Sequence, residues 1–293
     1  RSSDLGVFDP PNEVMLSDRV MSELDLLIVE FVQAAKDNTL AQLVAKYKTI
    51  PPSQAITAKA QTDWLSSNPS KSFNPFKEKT PGDILREITT DIEFSIYRTY
   101  ELRYRAAQTL ELLFRDGLSP TTEQIIHRVV RNFTPLYEVM RDASQQRRTR
   151  VGSGFEAHIR AMLIAGNVPF VEQMIVSTRR PDFVLPARQL YEAGSADALV
   201  IAAKTTLRER WKQVGMETRN CRVYLATLDE KITLSAVREM NQLNIHLLIP
   251  EAFKANRAVA EYVNAENVHT FKDFFDKDLL VNRKPSWTSL GYW

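Results

Sequence analysis

A change of pattern near Pro169 limits the folds that this chain can adopt. From about Asn12 to Pro169, apolar residues recur at helical spacing between helix breakers, whereas the residues after Pro169 alternate short apolar runs with amphipathic stretches. Alternation of the second kind is typical of a sheet flanked by helices. The sequence therefore predicts an α/β fold with a mixed central sheet, preceded by a helical N-terminal portion.

The boundaries of these elements follow from periodicity and from the positions of Pro and Gly. We predict helices at Val20–Tyr47, Gly82–Phe114, Thr205–Arg219 and Thr233–Leu243, and strands at Arg180–Pro186, Ala198–Lys204, Cys221–Thr227 and Ile245–Ile249. Three prolines together with Ser and Asn predict a loop at Ser66–Pro81. We expect residues 1–80 to form a helical N-terminal portion, and residues 81–293 to form one catalytic domain.

Composition excludes several classes of protein. No run approaches the roughly 18 consecutive apolar residues of a membrane span, and the first residues do not resemble an export signal. The single cysteine, Cys221, permits no internal disulfide, which is expected of a protein of the reducing cytoplasm. The net charge is only +2, from 38 basic and 36 acidic residues, so bulk charge does not reveal a nucleic-acid partner. We find no Gly-rich phosphate loop and expect no ATP dependence.

Two residues carry the strongest chemical signal. Asp182 follows Pro181 at one predicted strand, and Lys204 ends the next strand 22 positions later. Hydrolysis of a phosphodiester needs hard oxygen ligands for a divalent metal and a cation that orients the attacking water. An aspartate and a lysine on paired strands meet this need, which predicts a Mg²⁺-dependent nuclease site.

The usual nuclease signature places a second carboxylate two residues before the lysine. Ala202 stands at that position here and cannot bind a metal. Glu217, on the predicted helix after Lys204, lies beside the apolar stripe of that helix and can point back towards the sheet edge. Glu156, which follows a Gly-Ser-Gly segment, could add a further acidic group.

The segment from Lys204 to Val214, KTTLRERWKQV, resembles the catalytic-lysine segment of the restriction endonucleases related to EcoRII, PspGI, SsoII and PfoI. The similarity extends through Tyr224–Thr227 and Arg238–Met240 to Leu247–Pro250. In all it covers roughly Arg147 to Pro250, about a third of the chain. The resemblance implies a restriction-endonuclease fold and a two-fold dimer. It also implies a catalytic set made up of Asp182, Lys204, Glu217 and Glu156, with Asp182 and Glu217 as the metal ligands.

The same resemblance gives a role to Arg208, Glu209 and Arg210, because in this family the segment enters the major groove and reads a CC/GG half-site. Arginine donates twice to the O6 and N7 atoms of guanine, and a carboxylate accepts from cytosine N4. The alternative is an ordinary charged helix start. Gln145 resembles the minor-groove glutamine of the family, although the adjacent Gln146 aligns equally well.

Two further features stay open on the sequence alone. Trp64 precedes a Ser/Asn/Pro loop and could stack on a base flipped from the centre of the site, or it could be a core residue at a helix end. The arginines between Arg141 and Arg150 could contact DNA, or they could form a solvated surface with scattered ion pairs.

Together these features predict a bacterial type II restriction endonuclease, a Mg²⁺-dependent homodimer that cuts duplex DNA at a CCNGG-type site. The exact site could also be CCGG, CCWGG or longer. A cognate DNA methyltransferase is the expected genetic partner. The alternatives are a structure-specific repair or recombination nuclease on the same core, and a DNA-binding regulator that has lost catalysis.

Overall fold

The computed structural model describes residues 18–114, 121–172, 181–207, 211–212, 221–256 and 262–293. Contacts between residues divide the chain into two compact units. Unit 1 consists of residues up to 50 together with residues 99–141, and unit 2 consists of residues 51–98 together with residues 142–293. Within the described ranges, every helix is too short or too polar to span a lipid bilayer.

Helices make up most of the described chain. The α-helices are α1 (Asp18–Lys36), α2 (Leu40–Tyr47), α3 (Ser53–Ser67), α4 (Pro81–Glu87), α5 (Phe94–Phe114), α6 (Thr122–Arg131), α7 (Phe133–Ala165), α8 (Arg188–Glu192), α9 (Leu234–Gln242), α10 (Phe271–Asp273) and α11 (Lys284–Ser289). Two π-helical segments lie at Ile88–Glu93 and Phe274–Arg283, and a 3₁₀ helix lies at Glu251–Ala255. The strands are β1 (Val171–Glu172), β2 (Phe183–Leu185), β3 (Leu199–Ala203), β4 (Arg222–Ala226), β5 (Ile245–Ile249) and β6 (Val268–Thr270).

Unit 1 is helical and has a small core of its own. Phe31 and Leu40 pack with Ala107 of α5 in this core. The single helix predicted over Val20–Tyr47 is two helices, because Asn38 adopts a left-handed conformation (φ 55°) that ends α1. Thr121 begins α6 with a capping box, in which its hydroxyl accepts from the backbone N–H of Gln124.

Unit 2 contains a six-stranded mixed sheet in the order β1-β2-β3-β4-β5-β6. β2 pairs antiparallel with both β1 and β3, whereas β3, β4, β5 and β6 run parallel to one another. The α/β class with a mixed sheet flanked by helices is therefore confirmed. The two units meet along the chain at residues 50, 98 and 141, and residues 51–80 belong to the same unit as the sheet.

Side chains of the sheet alternate between two apolar clusters. Phe183 and Ile201 face a cluster that also contains Phe155 of α7. Val184 and Ala202 face the opposite cluster. Since side chains two residues apart share a face, Lys204 lies on the same face of the sheet as Ala202.

Candidate active site

Asp182 and Lys204 lie together at one edge of the sheet. Asp182 precedes β2 and Lys204 follows β3, and these strands are antiparallel with Phe183 opposite Ile201. Lys204 Nζ donates a hydrogen bond to Asp182 Oδ2 at 3.0 Å. The two side chains therefore converge, as the sequence predicted. The side chains keep 17% (Asp182) and 30% (Lys204) of their surface exposed, so the pair is open to a ligand.

Backbone contacts fix both members of this pair. The backbone N–H of Ala203 donates to Asp182 Oδ2 at 2.8 Å, which locks the carboxylate against β3. Lys204 Nζ also donates to the carbonyl of Ala203, and the backbone N–H of Lys204 donates to the carbonyl of Ala226 in β4 at 2.9 Å. Backbone groups of β3 and β4 therefore hold the Asp182–Lys204 pair in place.

Ala202 is 2% exposed and packs in an apolar cluster with Leu207 and Trp211. A methyl group at this position supports packing and supplies no metal ligand. Among the described side chains, no group of three or more His, Cys, Asp or Glu residues is placed to hold a metal ion. Glu217, the predicted replacement carboxylate, lies outside the described residues, as do Arg208, Glu209 and Arg210.

Glu156 and Gln145 both lie on α7. Glu156 is partly buried, and Phe155 and Ile159 on the same helix are core residues. Gln145 is exposed and lies eleven residues before Glu156. Eleven residues are about three helical turns, so the two side chains lie on a similar face of α7. Gln146 is partly buried.

In this structure Trp64 does not expose a stacking surface for a flipped base. Trp64 is fully buried in α3, and its indole stacks on Phe73 with a ring-centroid distance of 5.3 Å. The Nε1–H donates to Glu87 at 3.0 Å, so the one polar group of the ring is already satisfied. Trp64 is a core residue, as the alternative interpretation held.

Two members of the arginine cluster make structural contacts. Arg141 pairs with Glu138 one turn earlier on α7. The guanidinium of Arg150 lies over the ring of Tyr97 and donates to the carbonyl of Pro51. These contacts favour the surface interpretation for those two arginines.

Sequence reasoning missed a buried polar network beside Glu156. His158 is fully buried, and its Nε2 lies 2.8 Å from Glu93 Oε2. Glu93 Oε1 accepts from the hydroxyl of Thr57 at 2.7 Å, and the amide of Gln61 contacts His158 Nδ1 at 3.1 Å. The hydrogen-bonded partners are 36, 65 and 97 residues apart in sequence, so no local motif could have revealed the network.

A histidine pair was also missed. His246 Nδ1 and His269 Nε2 lie 2.9 Å apart on the neighbouring strands β5 and β6. Burial lowers the pKa of His246 to about 4, and the nearby Arg222 and His269 act in the same direction. The strand register brings these histidines together, although their sequence spacing resembles no metal motif.

Comparison with known proteins places this chain in a family. Residues 112–275, more than half of the chain, match the family described as EcoRII C terminal. The chain is 28% identical to the type II restriction enzyme SsoII of Shigella sonnei over 174 residues, 54% of each protein. It is 31% identical to the type II restriction enzyme EcoRII of Escherichia coli over 129 residues, 42% of this chain and 31% of EcoRII. The chain thus spans about half the length of SsoII and about a third of EcoRII in these matches.

Solved structures agree on the fold. Metal-depleted Ecl18kI in complex with uncleaved DNA has a TM-score of 0.65 and 23% identity, covering 80% of this chain and 81% of that one. The complex of the restriction endonuclease PspGI with substrate DNA has a TM-score of 0.59 and 18% identity, covering 78% and 91%. The predicted restriction-endonuclease-like core is therefore confirmed. The chain belongs to the EcoRII C-terminal family.

Proposed function

We propose that this protein is a type II restriction endonuclease that hydrolyses phosphodiester bonds of duplex DNA at a CCNGG-type site. The observation that carries the proposal is the pairing of Asp182 with Lys204 across β2 and β3 in a chain of the EcoRII C-terminal family. SsoII and EcoRII are type II restriction enzymes, and Ecl18kI and PspGI have been solved with DNA, which supports the same class of activity and partner.

Asp182 supplies one oxygen ligand of the kind that Mg²⁺ prefers. Both described hydrogen bonds to the Asp182 carboxylate fall on Oδ2, which leaves Oδ1 without a partner among the described residues. Asp182 Oδ1 and the carboxylate of Glu217 would hold the ion, since Mg²⁺ prefers hard oxygen ligands. When bound, Mg²⁺ polarises a phosphoryl oxygen and lowers the pKa of a coordinated water.

Lys204 supplies the remaining chemistry from its ammonium group. Two of its three N–H donors are directed to Asp182 Oδ2 and to the carbonyl of Ala203. We assign the third N–H to the scissile phosphate or to the attacking water, whose orientation it would fix. Because the first two contacts hold the ammonium in place, little rearrangement is needed when the substrate arrives.

Sequence recognition is assigned to Arg208, Glu209 and Arg210, which follow Lys204 within six residues. Arginine can read a guanine edge, and glutamate can accept from cytosine amino groups, which suits a CC/GG half-site. Gln145 remains the proposed minor-groove contact near the centre of the site. Because Trp64 is buried, the proposal gives it no role in base flipping.

A palindromic site needs two copies of the chain, and unit 1 has a surface that supports a homodimer. Five large apolar residues on α6 and α7 follow one another at spacings of four, three, four and three, and each is between 42% and 64% exposed. They are Ile126, Val130, Phe133, Tyr137 and Met140. A heptad-like stripe of this kind is the seam along which two helices pack, and a two-fold axis would pair it with its own copy. We therefore assign the stripe to the interface between two copies of this chain.

The cellular setting follows from this activity. A nuclease that cuts unprotected sites would act in the bacterial cytoplasm, together with a DNA methyltransferase that modifies the sites of its own host.

The test separates binding from cutting. Asp182→Ala and Lys204→Ala should lose plasmid cleavage in Mg²⁺ but keep gel-shift affinity for a CC/GG duplex, because both groups serve the metal and water rather than the bases. Lys277→Ala, at an exposed lysine of the same unit, is the matched control and should cut normally. Near-normal cutting by either active-site variant contradicts the assignment.

The same assays address the two alternatives. Cutting without a sequence preference would favour a repair or recombination nuclease. Specific binding by a wild-type protein that does not cut would favour a regulator.

A further inference from the structure

The loop after β4 reaches across to the chain that follows Lys204. Asp229 Oδ2 accepts from the backbone N–H of Leu207 at 2.8 Å, and Oδ1 accepts from the backbone N–H of Lys231 at 2.8 Å. The backbone N–H of Asp229 donates to the hydroxyl of Thr227 at 3.1 Å. Thr227 is fully buried and continues the sheet ladder, since its N–H donates to the carbonyl of Leu248. The Asp229 carboxylate therefore joins the end of the sheet to the backbone of Leu207.

This contact falls beside the proposed recognition triplet, residues 208–210. Leu207, with 1% of its surface exposed, directly precedes the triplet, and Trp211, with 5% exposed, directly follows it. Both side chains pack in the same apolar cluster. Burial thus anchors the side chains on either side of the triplet, whereas Asp229 anchors the backbone at the point where the triplet begins.

We infer that Asp229 is a positioning residue for sequence discrimination, acting through the backbone of Leu207 on the segment Arg208–Arg210. The inference rests on the proposed function, in which that segment reads the bases. A bidentate contact to a base edge depends on the direction in which the chain leaves Leu207, and a displacement of about 1 Å can cost on the order of 100-fold in a positioned site.

The catalytic pair has separate supports. Lys204 is held by Asp182 and by the carbonyl of Ala226, and neither contact involves Asp229. Loss of the Asp229 carboxylate should therefore affect recognition more than the cleavage step. Nonspecific affinity, which comes mainly from phosphate contacts, should also change little. A loss of recognition without a loss of cleavage or of nonspecific affinity would distinguish a positioning role from a general loss of structure.

The test compares Asp229→Asn with Glu230→Gln, which makes the same charge change one residue later. Asparagine keeps one acceptor oxygen but turns an NH₂ group towards one of the two backbone N–H donors. Dissociation constants for a CC/GG duplex and for a random duplex are measured by fluorescence anisotropy in Ca²⁺, and single-turnover cleavage of saturating CC/GG duplex is measured in Mg²⁺. Thermal unfolding of each variant reports whether its fold is intact.

We expect Asp229→Asn to lower the ratio of specific to random affinity about 10-fold or more, with cleavage of bound specific DNA within about threefold of wild type. Glu230→Gln should keep the wild-type ratio. An unchanged ratio for Asp229→Asn overturns the inference, and so does an equal loss of affinity for both duplexes. If wild type itself shows no preference for CC/GG, the proposed function fails and the inference falls with it.

A second pair of variants tests the support beneath Asp229 if the first variant unfolds. Thr227→Val removes the acceptor for the backbone N–H of Asp229, and Thr227→Ser keeps it. The inference expects the valine variant to lose discrimination and the serine variant to keep it. Equal discrimination by the two variants overturns the role assigned to Asp229.

Discussion

Gly154 lies on the buried side of α7 against the carboxylate of Glu93, and alanine at this position should destabilise the protein. An added Cβ would lie within 2.7 Å of all three atoms of that carboxylate, so Glu93 would have to move. Glu93 is only 6% exposed and is held by Thr57 at 2.7 Å and by His158 at 2.8 Å. Its displacement weakens both contacts.

The size of the effect follows from these contacts. Leaving a buried hydrogen-bonding group unsatisfied costs about 1–3 kcal/mol, and two such contacts are at risk. Replacing a helical glycine with alanine returns about 1 kcal/mol through helix propensity. We therefore expect Gly154→Ala to lower the free energy of unfolding by about 2 kcal/mol, measured by urea unfolding followed by far-ultraviolet circular dichroism.

Gly152 provides the matched control on the same helix. A Cβ at Gly152 meets no atom within 4 Å, so Gly152→Ala should raise stability by about 0.5–1 kcal/mol. In a Glu93→Ala background the obstacle is gone, and Gly154→Ala should no longer destabilise. A Gly154→Ala protein as stable as the Gly152→Ala protein, or the same loss in both backgrounds, would refute the steric argument.

Three further predictions concern acid stability, the metal site and the dimer. The free energy of unfolding should fall as the pH drops from about 6.5 towards 4. In this range His246 takes up a proton in the unfolded chain, where its pKa is about 6.5, but not in the folded protein, where its pKa is lowered to about 4. Urea titrations across this range should show a smaller fall for His246→Phe, and equal slopes would contradict the assignment. Glu217→Ala should abolish Mg²⁺-dependent plasmid cutting. Adding Ala202→Glu should restore weak cutting, at a cost in stability because Ala202 is buried. A Glu217→Ala protein that still cuts would rule out Glu217 as the relocated metal ligand. Tyr137→Glu should shift the protein from dimer to monomer in analytical ultracentrifugation, and an unchanged dimer would place the interface elsewhere.

The sheet could be predicted largely from sequence because its central strands are buried on both faces. Such strands are continuous apolar runs, and the predicted strand Ile245–Ile249 agrees with β5 residue for residue. The strands β1 and β6 have two and three residues, too few for any periodicity, and neither was predicted. The break at Asn38 depends on a single left-handed residue inside an otherwise regular helical pattern.

The candidate site was predictable where the chemistry depends on neighbouring strands. Asp182 and Lys204 were expected to converge because each lies at the end of an apolar run, and the antiparallel pairing of β2 and β3 brings them together. The burial of Trp64 depends on Phe73 and Glu87, which no local pattern connects to it. Tertiary contacts therefore decided its role.

The central claim is site-specific cleavage of DNA, and sequencing the ends of plasmid fragments after digestion with Mg²⁺ tests it most directly. The purified protein should produce discrete fragments whose rejoined ends share one short sequence beginning CC and ending GG, and Asp182→Ala should produce none. Fragment ends without a common sequence, or an intact plasmid after incubation with the wild-type protein, would contradict the account.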